Sequence, residues 1–459
     1  MTIKIHTFPN GFRLIHEKPK SKLPITSIHT FCDLGSVYEN DDIRGVSHFI
    51  EHMTFKGTKK IPKAKDIFTQ YDKIGAYFNA YTVERYTCYT IKCNDDYVEN
   101  SIDIVSDMMM NSVFNRREYN KEYKVVVEES ISDENEPEDL IQRLTNKLLY
   151  NGSSYENPVD CLAYHKNKGL KYEDVLEIYK TFYRPDRMIL SVVSNIPFET
   201  IKKMLKQTFF MNRSSGTNII KYPMNLTITP QSDIQYKIEK KSGILTTLLT
   251  VGFRTCNMRS PHKYALNLLK HILVGGMSGR LFMILREKNG LTYSSDVDTT
   301  YHEHMGDFTI STECDYHKMM HNGKSQGVFE LIVELLNDLL KHGVTQEELD
   351  IAKGFLQGHM SIKMEDNDIQ CEYNGKRLLL FHASNGEGDG ESKGDTKCDH
   401  TIIVPYHKKF ETYYANIRTV DVNRVIRTYL KRENMNICMV GEHVPTLASV
   451  KKACSFFAV

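Results

Sequence analysis

Apolar and polar positions divide the chain into two stretches that follow the same succession of patterns. In the first, residues 3–16 and 26–34 read as strands, with a turn at Pro9-Asn10-Gly11 inside the former. Residues 43–57 place apolar side chains at helical spacing. Residues 75–93, GAYFNAYTVERYTCYTIKC, alternate and are rich in aromatics and Thr, as strands are. A helix is predicted around 97–112 and a second over 115–137, stopped by Pro137 and its acidic surroundings. The second stretch repeats the order: a strand at 243–253, a helix at 262–276, a strand pair at 290–314, and two helices over 327–360 with a turn at Gly343. Single residues correspond poorly between the halves, but the succession of elements does not. The pattern therefore predicts two similar α/β domains, 1–215 and 233–459, joined near 212–232, where Ser, Gly, Asn, Thr and Pro concentrate. Residues 382–401 have no periodicity and are rich in Gly, Asp and Ser, which predicts a mobile loop or insertion.

Composition narrows the function classes. The 459 residues exceed one compact core, and the 41% hydrophobic and 25% charged fractions are those of a globular protein. A net charge of +1 gives no global field for nucleic acid or an anionic membrane, so neither is expected as a partner. No apolar run approaches the roughly 20 residues that span a bilayer. The first residues read directly as strand, turn and strand, without an apolar leader or a basic amphipathic helix, which predicts a soluble, cytoplasmic chain. The ten cysteines include no C-x-x-C pair and read as reduced, mostly buried thiols.

The candidate chemistry lies in G-V-S-H-F-I-E-H-M-T-F-K-G-T, residues 45–58. On a helix, His48 and His52 lie one turn apart on one face, about 6 Å from each other. Imidazoles at that spacing can chelate zinc, and they can equally be two surface histidines. Glu51 lies beside the pair, where it can take a proton from a water activated by the metal. The order H-x-x-E-H is the inverzincin arrangement. A catalytic zinc needs a third protein ligand and an open position. The helix carrying KEYKVVVEES offers Glu122 and Glu129, seven residues apart and hence on one face with Val125 and Val126, a face expected to point at least partly inward. Glu128 points about 100° away, into solvent. Spacing does not choose between Glu122 and Glu129.

The motif at 45–58 resembles the M16 metallopeptidases, the pitrilysin-like group that includes the mitochondrial processing peptidases and their bacterial relatives. The resemblance extends to PNGFRLI near the start, GSVYE at 35–39, GAYFNAYT at 75–82, VVVEES at 125–130, GGMSGRLF at 275–282 and REKNGLTYS at 286–294. It implies an α+β fold: two tandem, similar domains, each a mixed, mostly antiparallel sheet flanked by helices. It implies one Zn²⁺ per chain on His48, His52 and Glu129, with Glu122 as a supporting carboxylate and Glu51 as general base. It places Asn79, Ala80 and Tyr81 on an edge strand that binds extended peptide by strand addition. Arg286 and Tyr293 match the family's Arg–Tyr pair, suited to hold substrate backbone and a developing oxyanion. The second domain is expected to be metal-free, since its corresponding helices carry only His271 and His359 at the matching places. GGMSG lacks the ending of a phosphate loop and reads as a turn.

The resemblance thus implies a zinc metalloendopeptidase acting on peptides or unfolded polypeptides. Chains of this length resemble half of a closed chamber, which implies a homodimer or a heterodimer with a homologue. The rival readings are a non-catalytic scaffold of the same fold, against which all four motif residues stand, and a subunit active only beside a partner homologue.

Overall fold

The computed structural model describes residues 3–165, 169–212, 224–321, 323, 325–381, 403–455 and 457. The loop expected at 382–401, residues 213–223 of the expected joint, and Cys398 lie outside the described residues. In chain order the first half forms β1 (Ile3–Thr7), β2 (Arg13–Glu17), β3 (Ile25–Cys32), α1 (Val46–Thr54), α2 (Ala64–Lys73), β4 (Tyr77–Thr82), β5 (Thr87–Asn94), α3 (Val98–Asn111), α4 (Arg116–Asn135), α5 (Pro137–Leu149), α6 (Tyr172–Phe182), β6 (Met188–Val193) and α7 (Phe198–Leu205). The second forms β7 (Gln235–Lys240), β8 (Thr247–Thr255), α8 (His262–Val274), β9 (Ser295–Tyr301), β10 (Gly306–Cys314), α9 (Tyr316–Met319), α10 (Val328–His342), α11 (Gln346–Lys363), α12 (Asn367–Phe381), α13 (Lys409–Tyr413), α14 (Thr419–Tyr429), β11 (Met435–Gly441) and α15 (Leu447–Cys454).

Two compact units result: Met1–Ile131 with Pro158–Asn225 and Ile362–Lys408, and Ser132–Asn157 with Leu226–Ser361 and Lys409–Val459. The first holds a six-stranded sheet of order β1-β2-β6-β3-β5-β4, in which only β2 and β6 run parallel. The second holds a five-stranded sheet of order β7-β11-β8-β10-β9, in which only β7 and β11 run parallel. The two orders coincide if β1 is set aside. Each sheet is covered on both faces, so the central strands β3 and β8 are buried nearly throughout rather than alternating.

The units differ from the contiguous division 1–215 and 233–459 by an exchange of helices. α5 belongs to the second unit, where Ile141 and Leu144 join Leu248, Cys438 and Val440 in one apolar cluster. α12 belongs to the first, where Leu378 and Leu379 pack with Ile15, Phe31 and Ile189. α12 approaches its sheet closely: a Cβ on Gly375 would run into the Phe31 ring. Periodicity reports that a helix has an apolar face; it does not report which sheet covers it.

Local deviations from the expected boundaries have local causes. Pro137 does more than stop α4: it opens α5 in the first turn, where a missing N–H costs nothing. Residues 290–294 are not strand, because the Leu291 amide turns back to the Leu285 carbonyl at 2.9 Å and Gly290 takes φ +60. The nine described cysteines are buried and free of disulfides. No helix among the described residues is long and apolar enough to cross a membrane.

Candidate metal centre

α1 is held in place by its apolar side. Phe49, Ile50 and Met53 are fully buried, and the opposite side carries His48 and His52, both half-buried. The helix begins at Gly45, whose φ of 78 lies in the left-handed region open to glycine. No Ser or Asp caps it. Instead Glu39, itself buried, accepts from the Gly45 amide at 2.6 Å and the Ser47 amide at 2.8 Å. A carboxylate here satisfies two orphan donors and faces the positive end of the helix dipole. Burial pushes the Glu39 carboxyl up to about 7, against the pull of those amides.

One turn apart, the two imidazoles meet at right angles, with ring centroids 4.7 Å apart and their Nε2 atoms 3.2 Å apart. α4 brings up its glutamates on the same side. Glu129 Oε2 lies 3.6 Å from His52 Nε2, and one donor atom from each of His48, His52 and Glu129 falls within 4.8 Å of the others. Glu122, two turns earlier, meets a different atom: it accepts from His52 Nδ1 at 2.9 Å and from Lys56 Nζ at 2.6 Å. Burial raises the Glu122 carboxyl, but the bonds from His52 and Lys56 outweigh it and hold the group below the usual range. The spacing that leaves the two glutamates equivalent in sequence therefore gives them distinct neighbours in space. The shared face is partly inward, as expected: Glu122 and Val126 are buried, while Val125 is 49% exposed and the Glu129 side chain is 44% exposed. Glu128 is exposed, as expected.

Glu51 reaches toward β4. It is buried, and its Oε2 accepts from Thr82 Oγ1 at 2.8 Å. Burial raises its carboxyl, opposed by the nearby charges of His48 and His52 and by the Thr82 bond. Thr82 ends β4, the open edge of the six-stranded sheet. The Val83 amide bonds to the Tyr86 carbonyl, which sets the antiparallel alternation and turns the backbone groups of Ala80 and Thr82 outward along that edge. There the Ala80 amide is accepted by Asn79 Oδ1 at 2.9 Å. Tyr81 turns its ring the other way, toward Glu372 on α12 at 3.3 Å, and its backbone groups face β5.

Arg286 and Tyr293 lie in the second unit. Arg286 sits on a π-helical turn, Phe282–Lys288, and its guanidinium stands 5.0 Å from the Tyr293 ring centre. Both are exposed, Tyr293 at 82%. GGMSG is a turn: Gly275 closes α8, Gly276 takes φ +76, and Arg280 anchors it to Glu348 at 2.6 Å and to the Gly343 carbonyl at 3.0 Å. His271 and His359 both rest against Phe355, at 5.5 and 4.1 Å, and belong to no candidate metal cluster among the described residues.

Glu39, Thr82, Lys56 and Asp160 were not singled out from sequence for this site. Thr82 had a signal, since it shares the parity of Ala80 on a strand already placed at the edge. Glu39 ends GSVYE, one of the stretches that carry the resemblance, though no role attached to it; Asp160 had no signal, because it reaches α1 from a loop.

The donor set of two imidazoles and one carboxylate is that of a catalytic zinc site, with a fourth position left for water or substrate. Comparison with known proteins agrees with this chemistry. The family described as insulinase (peptidase family M16) matches residues 17–162, and the one described as peptidase M16 inactive domain matches residues 169–356. A protein of Bacillus subtilis named as an uncharacterized zinc protease is 30% identical over 83% of this chain and 88% of its own. One of Rickettsia felis, similarly named, is 30% identical over 77% of this chain and 82% of its own. The crystal structure of a protease from Helicobacter pylori, 18% identical, superposes with a TM-score of 0.83 over 96% of this chain and 99% of that one. A peptidase M16 inactive domain from Pseudomonas fluorescens, 17% identical, gives 0.80 over 97% and 99%. With family models over residues 17–162 and 169–356 and a relative at this identity along most of its length, the chain belongs to the M16 family of peptidases.

Proposed function

We propose that the chain is a zinc-dependent endopeptidase that cleaves extended peptides. The observation that carries this reading is the convergence of His48, His52 and Glu129 within 4.8 Å beside a buried glutamate one position before His52. Zinc held by these three groups supplies a Lewis acid that acidifies a water and polarises a carbonyl. Glu51 takes the proton of the attacking water and delivers it to the leaving amine. Its raised proton affinity suits a group that must hold the proton between those two steps, and Thr82 fixes the orientation of its carboxyl. Glu122 holds the His52 ring by Nδ1 and is itself held by Lys56. The substrate adds as a strand along β4 at Asn79, Ala80 and Tyr81, where exchange of the Asn79 cap for a peptide carbonyl frees the Ala80 amide.

Arg286 and Tyr293 are assigned to the substrate carbonyl and the developing oxyanion, acting on the metal centre of a second chain in a dimer. Their exposure and mutual stacking support a pair available to a partner. A mixture of Glu51→Gln and Arg286→Ala chains would then recover part of the activity that each lacks alone. Full activity from a sedimenting monomer would refute the dimer.

The primary test measures zinc by mass spectrometry on wild type and Glu129→Gln, beside cleavage of a mixed peptide library. About one zinc per chain, lost in the variant, together with cleavage is the expected result. Zinc without cleavage points to a partner subunit, and no zinc overturns the reading.

A further inference from the structure

Each imidazole of the centre has a second nitrogen, and the two are served differently. With both Nε2 atoms turned toward one another and toward Glu129, both Nδ1 atoms point away. His52 Nδ1 donates to Glu122 at 2.9 Å. His48 Nδ1 is buried with no hydrogen bond of ordinary length, and Asp160 Oδ1 stands opposite it at 3.6 Å. Both side chains are largely buried, at 14% and 18% exposure.

The segment carrying Asp160 is fastened to both metal-bearing helices. On α4, Ser130, next to Glu129, donates to the Asp160 carbonyl at 3.5 Å and accepts from the Ala163 amide at 3.2 Å. On α1, a Cβ at Gly45 would come within 2.8 Å of the Leu162 backbone, so the segment lies directly against the first turn, three residues before His48. The position of Asp160 is thus fixed by the same two helices that bring the imidazoles and Glu129 together.

We propose that Asp160 is the positioning residue of His48. Its carboxylate accepts Nδ1–H, fixes the ring and its tautomer, and leaves the Nε2 lone pair aimed at the metal. Asp160 is then to His48 what Glu122 is to His52, and the centre is braced on both sides by carboxylates of different origin, one helical and one from a loop. This inference rests on the zinc reading above.

The test is the zinc dissociation constant, measured by competition with a fluorescent chelator at fixed pH, for wild type, Asp160→Ala, Asp160→Asn and Glu122→Ala, beside the melting temperature of each metal-free protein. Loss of an outer partner of a metal-ligating histidine weakens binding about 10- to 100-fold. That loss is expected for Asp160→Ala, of the same order as for Glu122→Ala. Asp160→Asn, which keeps the volume and an acceptor oxygen, is expected to recover part of it. A folded Asp160→Ala with wild-type zinc affinity overturns the proposal, as does a variant set in which only melting temperatures change. Zinc-loaded wild type gives a reading that needs no variant: the His48 Nδ1 proton is expected as a protected nitrogen-15-coupled resonance, and exchange as fast as that of a solvent-facing imidazole overturns the proposal. Wild type that takes up no zinc refutes the parent reading instead.

Discussion

Glu39 seats the first turn of α1 from outside the H-x-x-E-H run, and its removal is a sharp test. The carboxylate closes two buried amides, Gly45 and Ser47, at 2.6 and 2.8 Å, and no side-chain cap from Gly45 shares that work. In Glu39→Ala both donors lose their acceptor inside the protein. A buried N–H without a partner costs about 1–3 kcal/mol, so the pair gives a loss of roughly 2–6 kcal/mol. Glu39→Gln keeps one oxygen and turns an amide NH₂ against the other donor, for a loss of about 1–3 kcal/mol. The consequence reaches function because His48 directly follows Ser47 in the first turn of α1, so an unseated first turn also misplaces its ring. The assay is amide hydrogen exchange at Gly45 and Ser47, read beside urea unfolding followed by circular dichroism and zinc competition. Expected are faster exchange at those two amides, a lower urea midpoint and weaker zinc binding in the order wild type, Gln, Ala. A Glu39→Ala protein whose midpoint moves by less than about 0.5 kcal/mol equivalent, with unchanged exchange at both amides, would refute the argument that this carboxylate caps the helix.

Other outcomes are equally definite. Glu51→Gln is expected to keep wild-type zinc content while losing peptide cleavage by at least about 100-fold, since general-base catalysis contributes roughly that much or more; zinc content and turnover measured on one preparation check it. Thr82→Val, which removes the hydroxyl bound to Glu51 but keeps the strand, should lower the turnover number with little change in zinc content; initial rates over a range of substrate concentration separate the two. The second unit carries a compensated pair of titrations. Burial pushes Asp307, bonded by Tyr150, up to about 7, and burial pushes His302, stacked on Tyr155, down to about 4. The aspartate's contribution is present below its unfolded value and is lost as pH rises to about 7; the histidine's is present above its unfolded value and is lost as pH falls to about 4. In wild type the two slopes oppose between about pH 4 and 6.5. Asp307→Asn should therefore make stability climb with pH across that window, by roughly 3 kcal/mol, and His302→Gln should make it fall by a similar amount; urea midpoints at several pH values read both.

Legibility in the sequence followed the range of the interactions. Helix α1 and the strand pair β4–β5 were readable because their signals, 3.6-residue spacing and alternation, are carried by neighbours in the chain. The imidazole pair was readable for the same reason: i and i+4 fix a distance. Glu122 and Glu129 marked a face but not their roles, because the difference between them is which end of the His52 ring each meets, and that depends on how α4 lies against α1. How far that face turns inward was set in the same way, since α4 presents Glu122 and Val126 to the interior and leaves Val125 in solvent. The exchange of α5 and α12 between the units was invisible. Ile141 and Leu144 on one helix, and Leu378 and Leu379 on the other, state that a sheet must cover them without naming it.

The comparison of the two units shows what the scaffold provides and what it does not. Both sheets share one strand order, one parallel pair at one place and an exchanged helix on one face, so the frame that sets α1 against α4 recurs as α8 and α11. In that recurrence the chain places His271 and His359, yet both rings rest against Phe355 and no group of three ligands forms there among the described residues. The fold alone therefore does not make a metal centre. What distinguishes the first unit is the pairing of two histidines on one helical turn, a glutamate brought to their Nε2 atoms, and carboxylates behind their Nδ1 atoms, one hydrogen-bonded and one within 3.6 Å. Glu122 meets Lys56 as well as His52, so its carboxylate is held from two sides. It follows that transplanting His48 and His52 alone onto the matching turn of α8 should yield no tight zinc site, whereas adding the carboxylates should; zinc competition on both designs decides whether the outer shell or the frame carries the affinity.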